Sequence, residues 1–195
     1  NNYITPYALA LGATNIHVGL LTSLPTLIGN FSQLYAIKLM KHISRKKIAF
    51  TGALLQAIMW IPLISIGVLF FVFDIHSTTI PALLVLVYTI LIVFGAFISP
   101  AWSSWMKDIV PRHSGKYFGM RHRICGATAL ASMLIGSFIL DYFKKTKLFL
   151  GFVILFTIAF IFRIISATLF TKKYEPKLTL ETGYYFSLWD FLKRM

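Results

Sequence analysis

Long apolar stretches that alternate with short basic stretches dominate the pattern of this chain. A helix rises 1.5 Å per residue, so about 20 apolar residues cross the roughly 30 Å hydrocarbon core of a bilayer. None of the stretches shows the alternating period of a membrane β-strand. The first stretch is too short for a span and is predicted to be the end of a helix that starts before residue 1. The predicted elements are this helix end at 1–11 and spans at 16–37, 48–72, 79–106, 124–143 and 148–171.

These stretches predict an all-α integral membrane protein. The backbone has no water to bond in hydrocarbon, so each apolar run must satisfy its own N–H and C=O groups as a helix. Pro25, Pro62 and Pro100 lie inside predicted spans. Membrane helices accommodate proline as a kink, so these residues do not argue against the spans.

Composition excludes a soluble domain and a nucleic-acid-binding protein. The chain is 57% hydrophobic and 13% charged, with 19 Lys+Arg against 6 Asp+Glu. That is too little charge to cover a soluble surface. The cations fall between spans rather than on one polar domain, as the positive-inside rule describes. Three basic segments result, at 38–47, 107–123 and 172–195, with these cations: Lys38, Lys41, Arg45, Lys46, Lys47; Lys107, Arg112, Lys116, Arg121, Arg123; Lys172, Lys173, Lys177, Lys193, Arg194.

Charge also predicts the orientation. The opposite side carries fewer cations, chiefly Lys144, Lys145 and Lys147, so the three basic segments are predicted to be cytoplasmic, together with the N-terminus. The linker at 172–195 ends in mixed aromatic and basic residues. This mixture fits an amphipathic helix in the membrane interface or a helix packed on a following domain, and the sequence does not separate the two. The predicted location is the plasma membrane.

One face of the second predicted helix is polar, with Ser23, Thr26, Asn30 and Gln33 at spacings of 3, 4 and 3 residues. Amide side chains are costly in hydrocarbon, so this face is predicted to line a substrate cavity. The alternative is a hydrogen-bonded seam between helices. A weaker second lining face comprises Tyr88, Ser99 and Trp102.

Small residues on the fifth predicted helix, Thr128, Ser132 and Gly136, are spaced for close helix packing. They form either a static contact or a surface that slides during a conformational change. Arg163 is the basic residue deepest inside a span, and Asp108 is its suggested ion-pair partner. No metal-ligand spacing, nucleotide loop or catalytic motif occurs, so neither an enzyme nor a cofactor or metal site is predicted.

Several segments together resemble the N-terminal half of a major facilitator superfamily (MFS) transporter of prokaryotic type. The resemblance covers nearly the whole chain. Its segments are 6–13 followed by 18–25, the basic loop Ser44-Arg45-Lys46-Lys47, the run 102–111, the run 114–123, and 162–166 followed by Tyr174-Glu175-Pro176. Two departures are clear. Lys41 stands where the family usually has an Asp, and the Pro-Gly signature of proton-coupled antiporters is missing from the fifth helix.

The resemblance implies secondary transport by alternating access, in which two six-helix halves rock about a central site near the midplane of the bilayer. The partners it implies are a small-molecule solute, the lipid bilayer and a C-terminal half that lies beyond this chain. It also implies a cytoplasmic gate or charge network, assigned here to Lys41, Arg45, Asp108, Arg121 and Arg163. The alternative function is a non-transporting membrane scaffold, assembly factor or lipid-handling protein.

Overall fold

Helices account for all the regular secondary structure that can be described. The computed structural model describes residues 2–75, 77, 79–110, 114–144 and 147–176. The helices are α1 (Ile4–Ala10), α2 (Asn15–Leu39), α3 (Arg45–Ile58), α4 (Trp60–Phe71), α5 (Thr79–Ile109), α6 (Ser114–Lys144) and α7 (Leu148–Lys172).

Four helical stretches within the described residues are long and apolar enough to cross a membrane: Arg45–Phe71, Thr79–Ile109, Gly115–Lys144 and Leu148–Lys172. They confirm the predicted class, an all-α membrane protein. The 25-residue helix α2 is not among the four. Its polar residues, such as Asn30 and Gln33, lower its hydropathy, so its span stays a prediction.

The helix bounds differ from the sequence prediction at two places. The predicted span 48–72 is interrupted at Met59, between α3 and α4. Pro62 explains the break, because it lacks an N–H and its ring crowds the carbonyl group of Ile58. Most of the segment 107–123 is helical, because α5 continues to Ile109 and α6 already begins at Ser114. The predicted amphipathic helix near the end of the linker lies outside the described residues.

Helix α5 is the centre of the bundle. Helix α2 packs along one side of it and α3 and α4 along another, while α7 packs against α3, α4 and α6. The ends of α5 and α7 meet the start of α3, and the start of α6 meets the end of α5. We call this end of the bundle the basic end. Its described cations are Lys38, Lys41, Arg45, Lys46, Lys47, Lys107, Lys116, Arg121, Arg123, Lys172 and Lys173.

Two apolar clusters hold the helices together. The larger lies at the end opposite the basic end, where Tyr7 of α1 packs on Phe152 and Phe156 of α7, with ring centroids 5.0 and 4.9 Å apart. The Tyr7 hydroxyl group donates a hydrogen bond to the Leu63 carbonyl at 2.8 Å. The smaller cluster lies at the basic end and includes Trp105. Helix α1 is therefore anchored although it has only two turns.

Gly67 of α4 is the point where three elements meet. A methyl group at this position would clash with the Tyr7 hydroxyl group and the Phe149 ring, because it would lie much closer than van der Waals contact allows. Tyr7 is fully buried, so it has no room to move aside. The larger apolar cluster therefore requires glycine at position 67.

We expect Gly67→Ala to lower the free energy of unfolding by about 1–3 kcal/mol, the usual cost of overpacking a filled core. Thermal unfolding of the detergent-solubilised protein, followed by tryptophan fluorescence, measures the change. Gly19→Ala is the matched control, since a methyl group there meets nothing within 4 Å. Equal melting temperatures for the two variants would contradict the packing described here.

Candidate functional site

A cavity of about 440 Å³ lies between α1, α2 and α5. Two of the residues predicted to line a cavity, Thr26 of α2 and Tyr88 of α5, both line it. The other lining residues were not predicted from the sequence. They are Asn2, Ile4, Thr5, Leu21, Thr22, Pro25 and Ile92.

The polar groups of this cavity are uncharged. Tyr88 is 8% exposed, yet its hydroxyl group has no hydrogen-bond partner among the described residues. Thr22 and Thr26 donate to carbonyl groups of their own helix, Gly19 at 2.9 Å and Thr22 at 2.8 Å. Each of these two hydroxyl oxygens still has a lone pair free to accept. The wall thus offers one free phenolic donor beside several acceptors.

The remaining predicted lining residues lie outside this cavity. Ser23 and Asn30 are exposed and Gln33 is half-buried. The Ser23 hydroxyl group bonds the Gly19 carbonyl at 2.9 Å. On α5, Ser99 is exposed and Trp102 is half-buried near the basic end. The face of α2 that packs inward is instead made of Leu21, Pro25, Gly29, Ser32 and Ala36.

A compact charge cluster occupies the basic end, centred on Arg45, the first residue of α3. The Arg45 side chain is 1% exposed. One terminal nitrogen donates to Asp108 Oδ2 at 2.5 Å and to the Ser104 hydroxyl group at 3.1 Å. The other donates to the carbonyl group of Pro176 at 2.9 Å. A charge this deeply buried is tolerable only when it is paired and hydrogen-bonded.

Glu175, which follows α7, completes the cluster. Its Oε1 atom lies 3.8 Å from Arg45 Nε and accepts the backbone N–H of Lys46 at 3.2 Å. The Trp105 indole N–H donates to the Tyr174 carbonyl at 2.9 Å beside it. The segment after α7 is therefore tied to α3 and α5. Glu175 belongs to the segment Tyr174-Glu175-Pro176, which carries part of the family resemblance, but its role was not predicted from the sequence.

The other members of the predicted charge network lie elsewhere. Lys41 is exposed, and Arg121 of α6 stacks on the Trp102 ring, 4.0 Å from its centroid. The suggested Arg163–Asp108 pair is wrong, because Asp108 is bound to Arg45. Arg163 is half-buried on α7, and its Nε atom has no hydrogen-bond partner among the described residues.

The predicted packing residues of α6 behave in two ways. Gly136 is buried, and a methyl group there would lie 2.6 Å from the Tyr3 ring, so it does permit close packing. The partner is the start of the chain, where the Tyr3 hydroxyl group donates to the Met133 carbonyl. Thr128 and Ser132 are exposed, and their hydroxyl groups bond carbonyl groups one turn back. The part of α6 from 122 to 135 is exposed throughout.

No group of three or more His, Cys, Asp or Glu side chains within the described part of the chain could hold a metal ion.

Comparison with known proteins gives one match. A family model described as the Major Facilitator Superfamily matches residues 1–189. No curated protein and no solved structure matches the chain.

The charge cluster predicts a strong energetic coupling between Arg45 and Asp108. We expect a double-mutant cycle with Arg45→Gln and Asp108→Asn to give a coupling free energy of about 1–2 kcal/mol, since contacting charged residues are rarely additive. Thermal unfolding of the purified protein measures it. A second cycle that pairs Arg45→Gln with Lys107→Gln, beside Asp108, is the control and is expected to give no coupling. Additive effects in the first cycle would show that the ion pair does not hold α3 to α5.

Proposed function

Because this chain belongs to the Major Facilitator Superfamily, a family of membrane transport proteins, we propose that it forms part of a secondary transporter for a small solute. Transport is by alternating access, with a second six-helix half facing the one described here. The protein works in the plasma membrane and is a transporter rather than an enzyme. The family match does not favour the alternative of a membrane scaffold.

The observation that carries this proposal is the cavity between α1, α2 and α5. The Tyr88 hydroxyl group has no hydrogen-bond partner among the described residues and lines the cavity, so it is available to a ligand. Thr22 and Thr26 line the same cavity, about two to three turns deeper along α2 than its first predicted membrane residue. Polar groups inside a span commonly mark a solute path. We assign the cavity to solute binding.

The chemistry of the wall favours a solute that forms hydrogen bonds but carries no net charge. The wall supplies hydroxyl and amide groups from Thr5, Thr22, Thr26, Tyr88 and Asn2. None of the lining residues carries a charge at neutral pH. An ion in this cavity would lose its hydration without a countercharge from this wall. A polyhydroxylated or otherwise neutral polar molecule fits it better.

The charge cluster at the basic end has a different task in this proposal. Arg45, Asp108 and Glu175 tie α3, α5 and the end of α7 into one rigid unit. Helix α6 is joined to this unit at the basic end by two contacts with the Trp102 ring, the stacking of Arg121 and the edge-on packing of Phe118. Each of these contacts at a partly exposed site is weak, about 1 kcal/mol. We assign the Arg121–Trp102 contact to the cytoplasmic gate, which opens while the unit around Arg45 stays intact.

Tyr88→Phe tests the cavity, because it removes the free hydroxyl group and keeps the buried ring. In proteoliposomes that contain the full-length protein, we expect the KM for uptake of the transported solute to rise about fivefold, the worth of one hydrogen bond near 1 kcal/mol. A panel of radiolabelled neutral, anionic and cationic solutes identifies the substrate first. Tyr142→Phe removes the hydroxyl group of a residue that is 78% exposed on α6 and is expected to leave uptake unchanged.

Uptake of none of the panel solutes by folded protein would overturn the transporter proposal. Uptake that Tyr88→Phe leaves unchanged would overturn the cavity assignment alone.

The proposed orientation places the basic end in the cytoplasm. Single cysteines at Lys107 and Phe73, in a cysteine-free background, test it with a membrane-impermeant maleimide on intact cells. We expect Phe73→Cys to react at once and Lys107→Cys to react only after the membrane is opened. Both positions are exposed, so burial does not protect either one. The opposite labelling order would reverse the orientation.

A further inference from the structure

A second, chemically different recess lies near the basic end, between the end of α2 and the start of α3. Its volume is about 250 Å³, and α5 forms its floor. The residues that line it are Leu39, Ile43, Lys47, Ile48, Thr51, Gly52, Leu55, Phe94 and Phe97. It shares no lining residue with the cavity between α1, α2 and α5.

The groove exists because α2 and α3 both pack on α5 but diverge from each other. Gly52 brings α3 close to α5, since a methyl group there would lie 2.8 Å from the Ile98 side chain. Phe94 and Phe97 then form the floor of a slot that is open on its outer side. Leu39 and Ile43 at its rim are 37% and 38% exposed. The open side therefore exposes apolar side chains, and in a bilayer such a surface contacts the hydrocarbon of the lipids.

The lining combines an apolar slot with one cation. Lys47 is the only charged residue of the lining, and it is exposed at the end of the slot that belongs to the basic end. Lys47 lies in the first turn of α3, where the helix dipole also favours an anion. Arg45 is not available to a ligand, because Asp108, Ser104 and Pro176 occupy it. The site therefore presents an ammonium group above an acyl-sized slot.

We propose that this groove binds an anionic phospholipid, with an acyl chain in the slot and the phosphate group at Lys47. From Lys47 to Leu55 the slot runs along α3 for about 12 Å, which suits the upper half of an acyl chain. A polar solute would find few hydrogen-bonding groups in this lining. A lipid tail exchanges contacts with other tails for contacts with the slot, and the phosphate group pairs with Lys47. Basic sites between membrane helices recognise anionic headgroups in this way. The inference needs only that the chain lies in a bilayer, so it stands apart from the transport proposal.

Native mass spectrometry of the full-length protein released from nanodiscs tests the site. The nanodiscs contain phosphatidylglycerol and phosphatidylcholine in equal amounts, with matched acyl chains. We expect phosphatidylglycerol to be retained preferentially by the wild-type protein. Lys47→Gln is expected to lower its apparent affinity about fivefold, because one lysine near a phosphate contributes about 1 kcal/mol.

Two further variants separate the charge from the slot. Lys38→Gln removes one charge from the same basic loop but lies outside the lining and is expected to leave retention within about twofold of wild type. Thr51→Trp fills the slot with a ring and is expected to abolish preferential retention, and its melting curve checks that the protein is folded. Equal losses for Lys47→Gln and Lys38→Gln would overturn the site in favour of diffuse surface charge. Equal retention of the two lipids by the wild-type protein, or unchanged retention by folded Thr51→Trp, would overturn it as well.

Discussion

The guanidinium group of Arg45 is the charge on which the arrangement of the basic end depends. It is 1% exposed, so its desolvation must be offset by partners, and these come from two separate segments. Asp108 and Ser104 come from the end of α5, and Pro176 comes from the segment after α7. Each of these segments has to reach the start of α3 for the charge to be paired. The cluster therefore fixes the relative positions of α3, α5 and α7 more tightly than apolar packing in lipid could, since lipid tails compete equally for apolar surface.

The polar and apolar recesses of the bundle are separated by the same central helix. Near its start, α5 contributes Tyr88 to a wall of hydroxyl and amide groups, and further along it contributes Phe94 and Phe97 to an apolar floor. Helix α2 takes part in both recesses with different residues, Thr22 and Thr26 in the first and Leu39 in the second. The proposed solute and lipid sites therefore use different surfaces of one bundle, which differ in chemistry and in position along α5.

The cavity and the charge cluster were only partly predictable from the sequence. Thr26 and Tyr88 were predicted as lining residues from helical spacing and polarity, and the structure brings these two together at one cavity. Spacing alone placed Asn30 and Ser99 on the same faces, but neither residue lines this cavity. A helical wheel gives direction around an axis but not the depth of contact with a neighbouring helix. Arg45 and Asp108 were both assigned to a charge network, yet Asp108 was paired with Arg163, because the sequence does not say which cation the end of α5 approaches.

The sequence by itself determined the helical class, four of the apolar spans and the family, because each depends on local composition over about 20 residues. It also predicted a kink at Pro62, but not that the helix would break at Met59. The tertiary structure alone decided which side chains meet: Tyr7 with Gly67, Arg45 with Glu175, and Arg121 with Trp102. These contacts join residues far apart in the chain, and they depend on how deeply each helix packs and on where it ends. Helical periodicity contains no information on the depth of packing or on the neighbour that a helix end meets, so only the packed bundle shows these contacts.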